Sequence, residues 1–224
     1  HPVVRTHPVN GRKVLFDVTK LNDSIGRAAA GLTAADPAAG GGVAQELISG
    51  ETIRNIYDGI STEEIEKAML MACASFIEKD PAYSQVASRL FLQRIYKEVI
   101  GTSVADDDLV SSYREAFLFG LQRGVDAGLF DPQLLEFDGQ RLAAELVLER
   151  DDLFRYMGVQ TLYERYFART GDTIIETPQA FWMRVAMGLA IGEEDREARA
   201  IDFYGIVSTL RFVPSTPTLF HAGT

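Results

Sequence analysis

The sequence predicts a mainly α-helical protein whose chain opens with a β-hairpin. Apolar residues recur at helical spacing through most of the chain, as in Leu21, Ile25 and Ala28. Near the start, Asn10-Gly11 interrupts a β-prone stretch over residues 3–16, and this dipeptide is the strongest short-range hairpin signal. With 46% hydrophobic residues in a length of 224, the chain can bury a real core.

A first helix follows the hairpin, because Asp17 stands at an N-cap position and Gly31 lies near the expected end. Residues 33–42 are rich in Ala, Gly and Pro and predict a loop. The three glycines at 40–42 lack the Lys-Ser or Lys-Thr of a phosphate-binding P-loop, which disfavours that site. A second helix is predicted over about residues 43–57.

Two further helices complete the first 100 residues. Ser61, with Glu64 three positions later, forms a capping-box pattern at the start of the third helix. Pro81 ends that helix, and a fourth is predicted over residues 83–100, with Gly101 as its C-terminal cap. The first part of the chain is therefore predicted to be a hairpin with four helices.

The second part of the chain is predicted to be helical as well, beyond a boundary marked by the acidic residues 106–108. The predicted helices cover about residues 109–123, 140–148, 153–168, 178–191 and 193–207. Gly171-Asp172 indicates a turn between two short extended pieces, and Pro178 suits a helical first turn. Within the tail, residues 210–224, the stretch 210–220 has β-branched residues and two prolines, so this stretch is predicted to be extended.

Composition excludes several classes of function. The formal charge is −10 and the cations are scattered, which disfavours a nucleic acid polymer as a partner. No apolar stretch is long enough for a membrane span and no signal peptide opens the chain, so cytoplasm is expected. The single cysteine, Cys73, excludes an internal disulfide or dithiol. It lies on an apolar helix face with Met69 and Phe76, which predicts a buried structural thiol rather than a reactive one.

Three stretches in the second part resemble the large subunit of class I ribonucleotide reductases. They are residues 157–166, with the pattern Gly-x-Gln-Thr-Leu-x-x-Arg-Tyr; residues 176–190, which begin Glu-Thr-Pro-Gln; and residues 211–224, which contain Pro-Ser-Thr-Pro-Thr-Leu-Phe. The first 100 residues resemble the ATP-cone of that family, through the Asn-Gly hairpin, Lys20, the stretch 57–62 and Pro81-x-Tyr83-Ser84.

The resemblance implies a fold class and three domains. Residues 1–103 would be an ATP-cone-like regulatory domain with a hairpin and a four-helix bundle. Residues 104–209 would be the helical N-terminal domain of the large subunit. Residues 210–224 would be the first strand of a ten-stranded α/β barrel, truncated here.

The resemblance also implies an oxidoreductase function. The family reduces ribonucleoside diphosphates at the 2′ position, using a thiyl radical and a cysteine pair, with a radical-generating small subunit and association of large subunits. The sequence stops before the position of those cysteines, so the chain is expected to be catalytically incomplete, with no catalytic residue of its own. No metal is expected in this chain, and the acidic groups 106–108 and 193–195 are interpreted as solvated.

Four residues match binding positions of the family. Lys20, Thr62 and Lys97 match positions that contact the allosteric effectors ATP and dATP, and ammonium and hydroxyl groups suit a polyphosphate. Thr216 matches a hydroxyl beside the substrate phosphate. His221 replaces the usual Asn and is interpreted as a tolerated substitution.

The hairpin departs from the pattern of working cones. Pro8-Val9 replaces a basic residue before the turn, which removes a cation and a backbone donor. Two alternatives therefore remain open for the first part of the chain. It is either a nucleotide-binding cone, or a helical oligomerisation or interaction module with a degenerate cone that binds no nucleotide.

Overall fold

The computed structural model of the chain describes residues 4–6, 13–32, 43–101 and 108–224. The described residues are mainly helical, as predicted. Strand β1 (Val4–Thr6) pairs antiparallel with β2 (Lys13–Leu15), with Val4 opposite Leu15. This confirms the predicted pairing, whereas the turn at Asn10-Gly11 lies outside the described residues, as do Pro8-Val9.

The contacts divide the chain into two compact units. Unit 1 comprises residues 1–94 with 155–157, and unit 2 comprises residues 95–154 with 158–224. The domain boundaries expected from the sequence, at residues 103 and 209, stay predictions.

Unit 1 contains the first four helices in the predicted order, but the third ends at Ala74 and does not reach Pro81, the residue that was predicted to end it. They are α1 (Val18–Ala29), α2 (Gln45–Arg54), α3 (Thr62–Ala74) and α4 (Ala82–Ile100), whose last residues belong to unit 2. Asp17 caps α1 by accepting a hydrogen bond from the Thr19 backbone N–H at 2.9 Å. Gly101 follows α4 with a φ of 107°, a left-handed conformation that suits glycine. The core of unit 1 includes Ile25, Ile48 and Val86.

Unit 2 is built around one buried helix. Its helices are α5 (Leu109–Asp126), α6 (Gly139–Ala144), α7 (Tyr156–Arg165, whose first two residues belong to unit 1), α8 (Pro178–Ala190), α9 (Arg196–Val207) and α10 (Thr216–His221). Short 3-10 helices cover Pro132–Glu136 and Leu148–Leu153. Strands β3 (Arg169–Thr170) and β4 (Thr173–Ile174) pair antiparallel on either side of the predicted turn at Gly171-Asp172. Eleven residues of α8 are buried, and α8 packs against α9. Pro178 stands at the start of α8, as predicted.

The tail corrects one prediction. An extended segment entering a barrel was expected from residue 210, but Thr216–His221 form helix α10, so the strand prediction is wrong there. Pro217 lies in the first turn of α10, where its missing N–H costs no helical hydrogen bond. Leu219 and Ala222, three residues apart, are both buried, which favours a helical turn over a strand. The helix predicted over residues 140–148 is also shorter, since α6 ends at Ala144.

None of the described helices is both long enough and apolar enough to cross a membrane.

Candidate functional site

The effector-binding candidates lie on three different helices. Lys20 is exposed in the first turn of α1, and Thr62 is the half-buried first residue of α3; both belong to unit 1. Lys97 is exposed in the last turn of α4, in the part of that helix that belongs to unit 2. The structure therefore places two of the three candidates in the same unit.

A hydrogen-bonded cluster surrounds Thr62 at the start of α3. The carboxylate of Glu64 accepts hydrogen bonds from the Ser61 backbone N–H at 2.9 Å, the Ser61 hydroxyl at 2.7 Å and the Tyr57 hydroxyl at 2.8 Å. These donors, the backbone N–H first, hold the pKa of Glu64 below its ordinary value. The predicted capping box is thus confirmed. A polyphosphate approaching Thr62 meets a fixed negative charge, so nearby cations are needed to hold it.

Cys73 is buried as predicted. Its side chain is 0% exposed, and its thiol donates a hydrogen bond to the Tyr83 carbonyl at 3.3 Å. Burial raises the pKa of Cys73 to about 12. Because the thiolate is the nucleophilic form, this thiol is inert at neutral pH.

Thr216, the substrate-binding candidate, is the exposed first residue of α10. Its hydroxyl oxygen lies 3.1 Å from the hydroxyl oxygen of Tyr166, so the two groups share a hydrogen bond. The Tyr166 ring packs against Phe220, with centroids 4.8 Å apart and the ring planes tilted by 33°. Tyr166 was part of a sequence motif but was not singled out as a functional residue.

A buried ion pair holds the tail that carries Thr216. Arg184 and Glu176 are 2% and 4% exposed, with Nε and Oε1 2.5 Å apart. Glu176 also accepts from the Ala168 backbone N–H at 2.8 Å, and Arg184 donates to the Ala222 carbonyl at 2.8 Å. Sequence reasoning missed this pair, although an arginine inside a strongly apolar helix was a usable signal for a buried partner.

Close backbone packing adds to this attachment. A Cβ atom at Gly188 would lie 2.1 Å from the backbone nitrogen of Gly223 and 2.3 Å from the carbonyl carbon of Ala222. The backbone of residues 222–223 therefore rests directly on α8, and only glycine at 188 permits this approach. Gly223 itself has a φ of 73°, which also favours glycine.

A second buried polar network lies in unit 2 around Asp151, which is 2% exposed. Its carboxylate accepts from the Tyr96 hydroxyl at 2.5 Å, the Tyr113 hydroxyl at 3.0 Å and the Gln179 side-chain amide at 2.7 Å. The Tyr204 hydroxyl donates to the Gln179 side-chain oxygen at 2.7 Å. Burial raises the pKa of Asp151 to about 6 despite these donors. No cation pairs with Asp151 among the contacts of the described residues, so the network is held by neutral donors.

The remaining candidates receive little support from the geometry. His221 is exposed at the end of α10, beside Phe220. Within the described ranges, which leave out Asp106 and Asp107, no group of three potential metal ligands comes together.

Two known protein families match the chain in succession. The ATP cone domain family matches residues 9–98, and the family described as ribonucleotide reductase, all-alpha domain, matches residues 152–224. The ribonucleoside-diphosphate reductase subunit alpha of Helicobacter pylori (strain ATCC 700392 / 26695) is 32% identical over 220 residues, which cover 96% of this chain and 26% of that protein. The chain belongs to the ribonucleotide reductase large-subunit family.

Other relatives of this reductase family match the same region. The ribonucleoside-diphosphate reductase subunit alpha of Chlamydia muridarum is 44% identical over 178 residues, 79% of this chain and 17% of that protein. The large subunit of Plasmodium falciparum (isolate Dd2) is 31% identical over 175 residues, 77% of this chain and 21% of that protein. The chain thus spans between 17% and 26% of the length of these curated relatives.

Family membership gives the buried contacts a context. The Glu-Thr-Pro-Gln stretch that carries the resemblance supplies Glu176, which binds Arg184, and Gln179, which binds Asp151. The stretch before it supplies Tyr166. The reductase motifs in this chain therefore organise a helical scaffold and the segment attached to it.

Proposed function

We propose that the chain is the N-terminal part of a ribonucleoside-diphosphate reductase large subunit, and that it combines an effector-binding cone with the scaffold that carries one substrate contact. The two family matches, in that order along the chain, support the proposal most directly. The parent enzyme would reduce ribonucleoside diphosphates by thiyl-radical chemistry, together with a radical-generating small subunit and other copies of the large subunit. Its expected location in the cytoplasm is part of the same proposal.

In this proposal, the chemistry of reduction belongs to residues of the parent enzyme other than these 224. The family needs a radical-bearing cysteine and a reducing cysteine pair, whereas this sequence holds only Cys73. That thiol is buried and its pKa is raised to about 12 by burial, so it supplies neither a thiolate nor a dithiol. The proposed contribution of this chain is regulation and positioning.

The cone is proposed to bind ATP or dATP through Lys20, Thr62 and Lys97. The match of the ATP cone domain over residues 9–98 supports binding of a nucleotide effector. Both lysines are exposed, and an ammonium group is a suitable partner for a polyphosphate.

Nucleotide titration of the 224-residue chain tests this proposal. A working cone predicts calorimetric heat with dATP or ATP, and thermal stabilisation of about 2.7 kcal/mol at a hundredfold excess over the dissociation constant. Lys20→Ala and Lys97→Ala should weaken binding. Lys79→Ala, which removes an exposed lysine beyond the C-terminal end of α3, is the matched control and should leave it unchanged.

Absence of any response at millimolar dATP would favour the alternative, an interaction module built on a degenerate cone. Sedimentation of the same samples then separates the two hypotheses. An interaction module predicts concentration-dependent association that nucleotide does not alter.

Thr216 is proposed to bind the substrate phosphate. Its hydroxyl is exposed and can donate to a phosphate oxygen without bringing a competing charge. The helical form of residues 216–221 leaves this proposal in place, because it depends on the hydroxyl and not on a strand.

A further inference from the structure

The hydroxyl pair of Tyr166 and Thr216 joins two parts of unit 2 that are 50 residues apart in sequence. Tyr166 directly follows α7, and its backbone N–H is fixed by the Leu162 carbonyl at 2.9 Å. Thr216 opens α10. Their oxygens are 3.1 Å apart, and this distance does not determine which of the two hydroxyl groups is the donor.

Both partners are held by packing that does not involve the hydroxyls. The Tyr166 ring lies against Phe220 at 4.8 Å and Phe181 at 6.4 Å between centroids. The segment with Thr216 is attached through the Arg184 hydrogen bond to the Ala222 carbonyl. The two hydroxyl groups therefore meet without relying on their own hydrogen bond.

The chemistry of an anionic ligand decides the direction of that hydrogen bond. A threonine hydroxyl has one proton, and a phosphate oxygen can only accept from it. When Thr216 donates to phosphate, its oxygen is left as an acceptor towards Tyr166. The tyrosine must then be the donor.

We propose that Tyr166 is a positioning residue that donates its hydroxyl proton to the Thr216 oxygen and so orients the Thr216 proton towards a phosphate oxygen of the ribonucleoside diphosphate. This inference rests on the proposed function of Thr216. In a chain of hydroxyls each bond polarises the next, so the Tyr166 bond strengthens Thr216 as a donor. Tyr166 acts through Thr216 and needs no contact with the substrate.

Tyr166→Phe isolates this role. The substitution keeps the ring that packs against Phe220 and removes only the hydroxyl. The matched control is Tyr163→Phe, on the preceding helix α7, whose hydroxyl donates to Glu98 at 2.9 Å instead. Equilibrium unfolding of each variant verifies that the fold is retained.

The experiment measures reduction of cytidine diphosphate by the full-length large subunit that contains this chain, with saturating small subunit and reductant. Tyr166→Phe should raise KM about twofold to tenfold, the value of one neutral hydrogen bond, with kcat little changed. Thr216→Val should raise KM about tenfold or more, because a charge-assisted bond is lost. The double variant should be no worse than Thr216→Val alone, and Tyr163→Phe should match the unaltered enzyme.

Two results would overturn the inference, and they are distinguishable. If Thr216→Val raises KM while Tyr166→Phe does not, the phosphate contact stands and the positioning role of Tyr166 fails. If Thr216→Val leaves KM unchanged, the proposed function of Thr216 fails, and the role of Tyr166 fails with it. Additive effects in the double variant would also contradict a role exerted through Thr216.

Discussion

Replacement of Gly188 by alanine should release the tail from α8. The new Cβ would lie 2.1 Å from the Gly223 nitrogen, while real Cβ contacts essentially never fall below 3.0 Å. The atoms in the way are backbone atoms of residues 222–223, so the tail has to move by about 1 Å, which is typical of overpacking that costs about 1–3 kcal/mol. That shift also stretches the 2.8 Å bond from Arg184 to the Ala222 carbonyl.

Gly205→Ala supplies the matched control. Gly205 lies inside α9, in the same unit, and a Cβ there meets no atom within 4 Å. Alanine in a helix is favoured over glycine by about 0.5–1 kcal/mol, so Gly205→Ala should raise the free energy of unfolding. In Gly188→Ala the same gain is outweighed, and a net loss of about 2 kcal/mol is expected.

Guanidinium unfolding followed by fluorescence measures this difference in unit 2. The only tryptophan of the chain, Trp182, lies in α8 and is 1% exposed, so its emission reports on the helix that holds the tail. Gly188→Ala should lower the midpoint and Gly205→Ala should raise it. If the two variants were equally stable, the close approach of residues 222–223 to α8 would be refuted.

Three further predictions concern buried or capping groups. The pKa of Asp151 is raised from 3.8 to about 6, so its contribution to stability is present below 3.8 and is lost as pH rises through about 6. When unfolding is measured at several pH values, the unaltered chain should therefore lose about 3 kcal/mol of unfolding free energy across this range relative to Asp151→Asn. Parallel pH profiles of the two proteins would contradict this. Arg184→Met leaves Glu176 buried without its cation and should lower the free energy of unfolding by about 3–5 kcal/mol. Adding Glu176→Gln should recover much of that loss. If Trp182 fluorescence showed the single and double variants to be equally stable, the result would argue against the ion pair. Ser61→Ala removes the N-cap of α3 and should cost about 0.5–2 kcal/mol in thermal unfolding followed by circular dichroism, whereas an unchanged midpoint would show that the cap contributes nothing.

Local signals predicted the helices of unit 1 well. The N-cap Asp17 and the capping box of Ser61 and Glu64 bond to backbone groups only two or three residues away. The helix starts that they predict therefore do not depend on distant contacts. The same holds for Pro178 at the start of α8 and Gly101 after α4.

The tail could not be predicted by the same means. Thr216 and Thr218 favour extended structure by intrinsic preference, and Pro217 biases Thr216 away from the helical region, but burial of Leu219 and Ala222 outweighs these preferences. Such burial depends on α8, which lies about 30 residues earlier in the chain, and no local pattern reports it. Tertiary contacts therefore decide the conformation of this segment.

The candidate site was predicted only in part. Thr216 is a candidate through resemblance, and its substrate contact stays a prediction, whereas its partner Tyr166, 50 residues away, became visible only in three dimensions. The Asp151 network likewise joins side chains from several helices, including Tyr96, Tyr113 and Gln179. Sequence spacing alone does not encode such pairings.

The environment of Cys73 has a consequence for electron transfer. Burial raises the pKa of this thiol to about 12, so it stays protonated at neutral pH, and its apolar surroundings keep oxidants and disulfides away from it. In the proposed parent reductase, a protonated and buried sulfur of this kind would not divert reducing equivalents that pass between other cysteines. The buried and protonated Cys73 should also be unreactive towards maleimide reagents, so a single cysteine introduced on the surface would be labelled without background from Cys73.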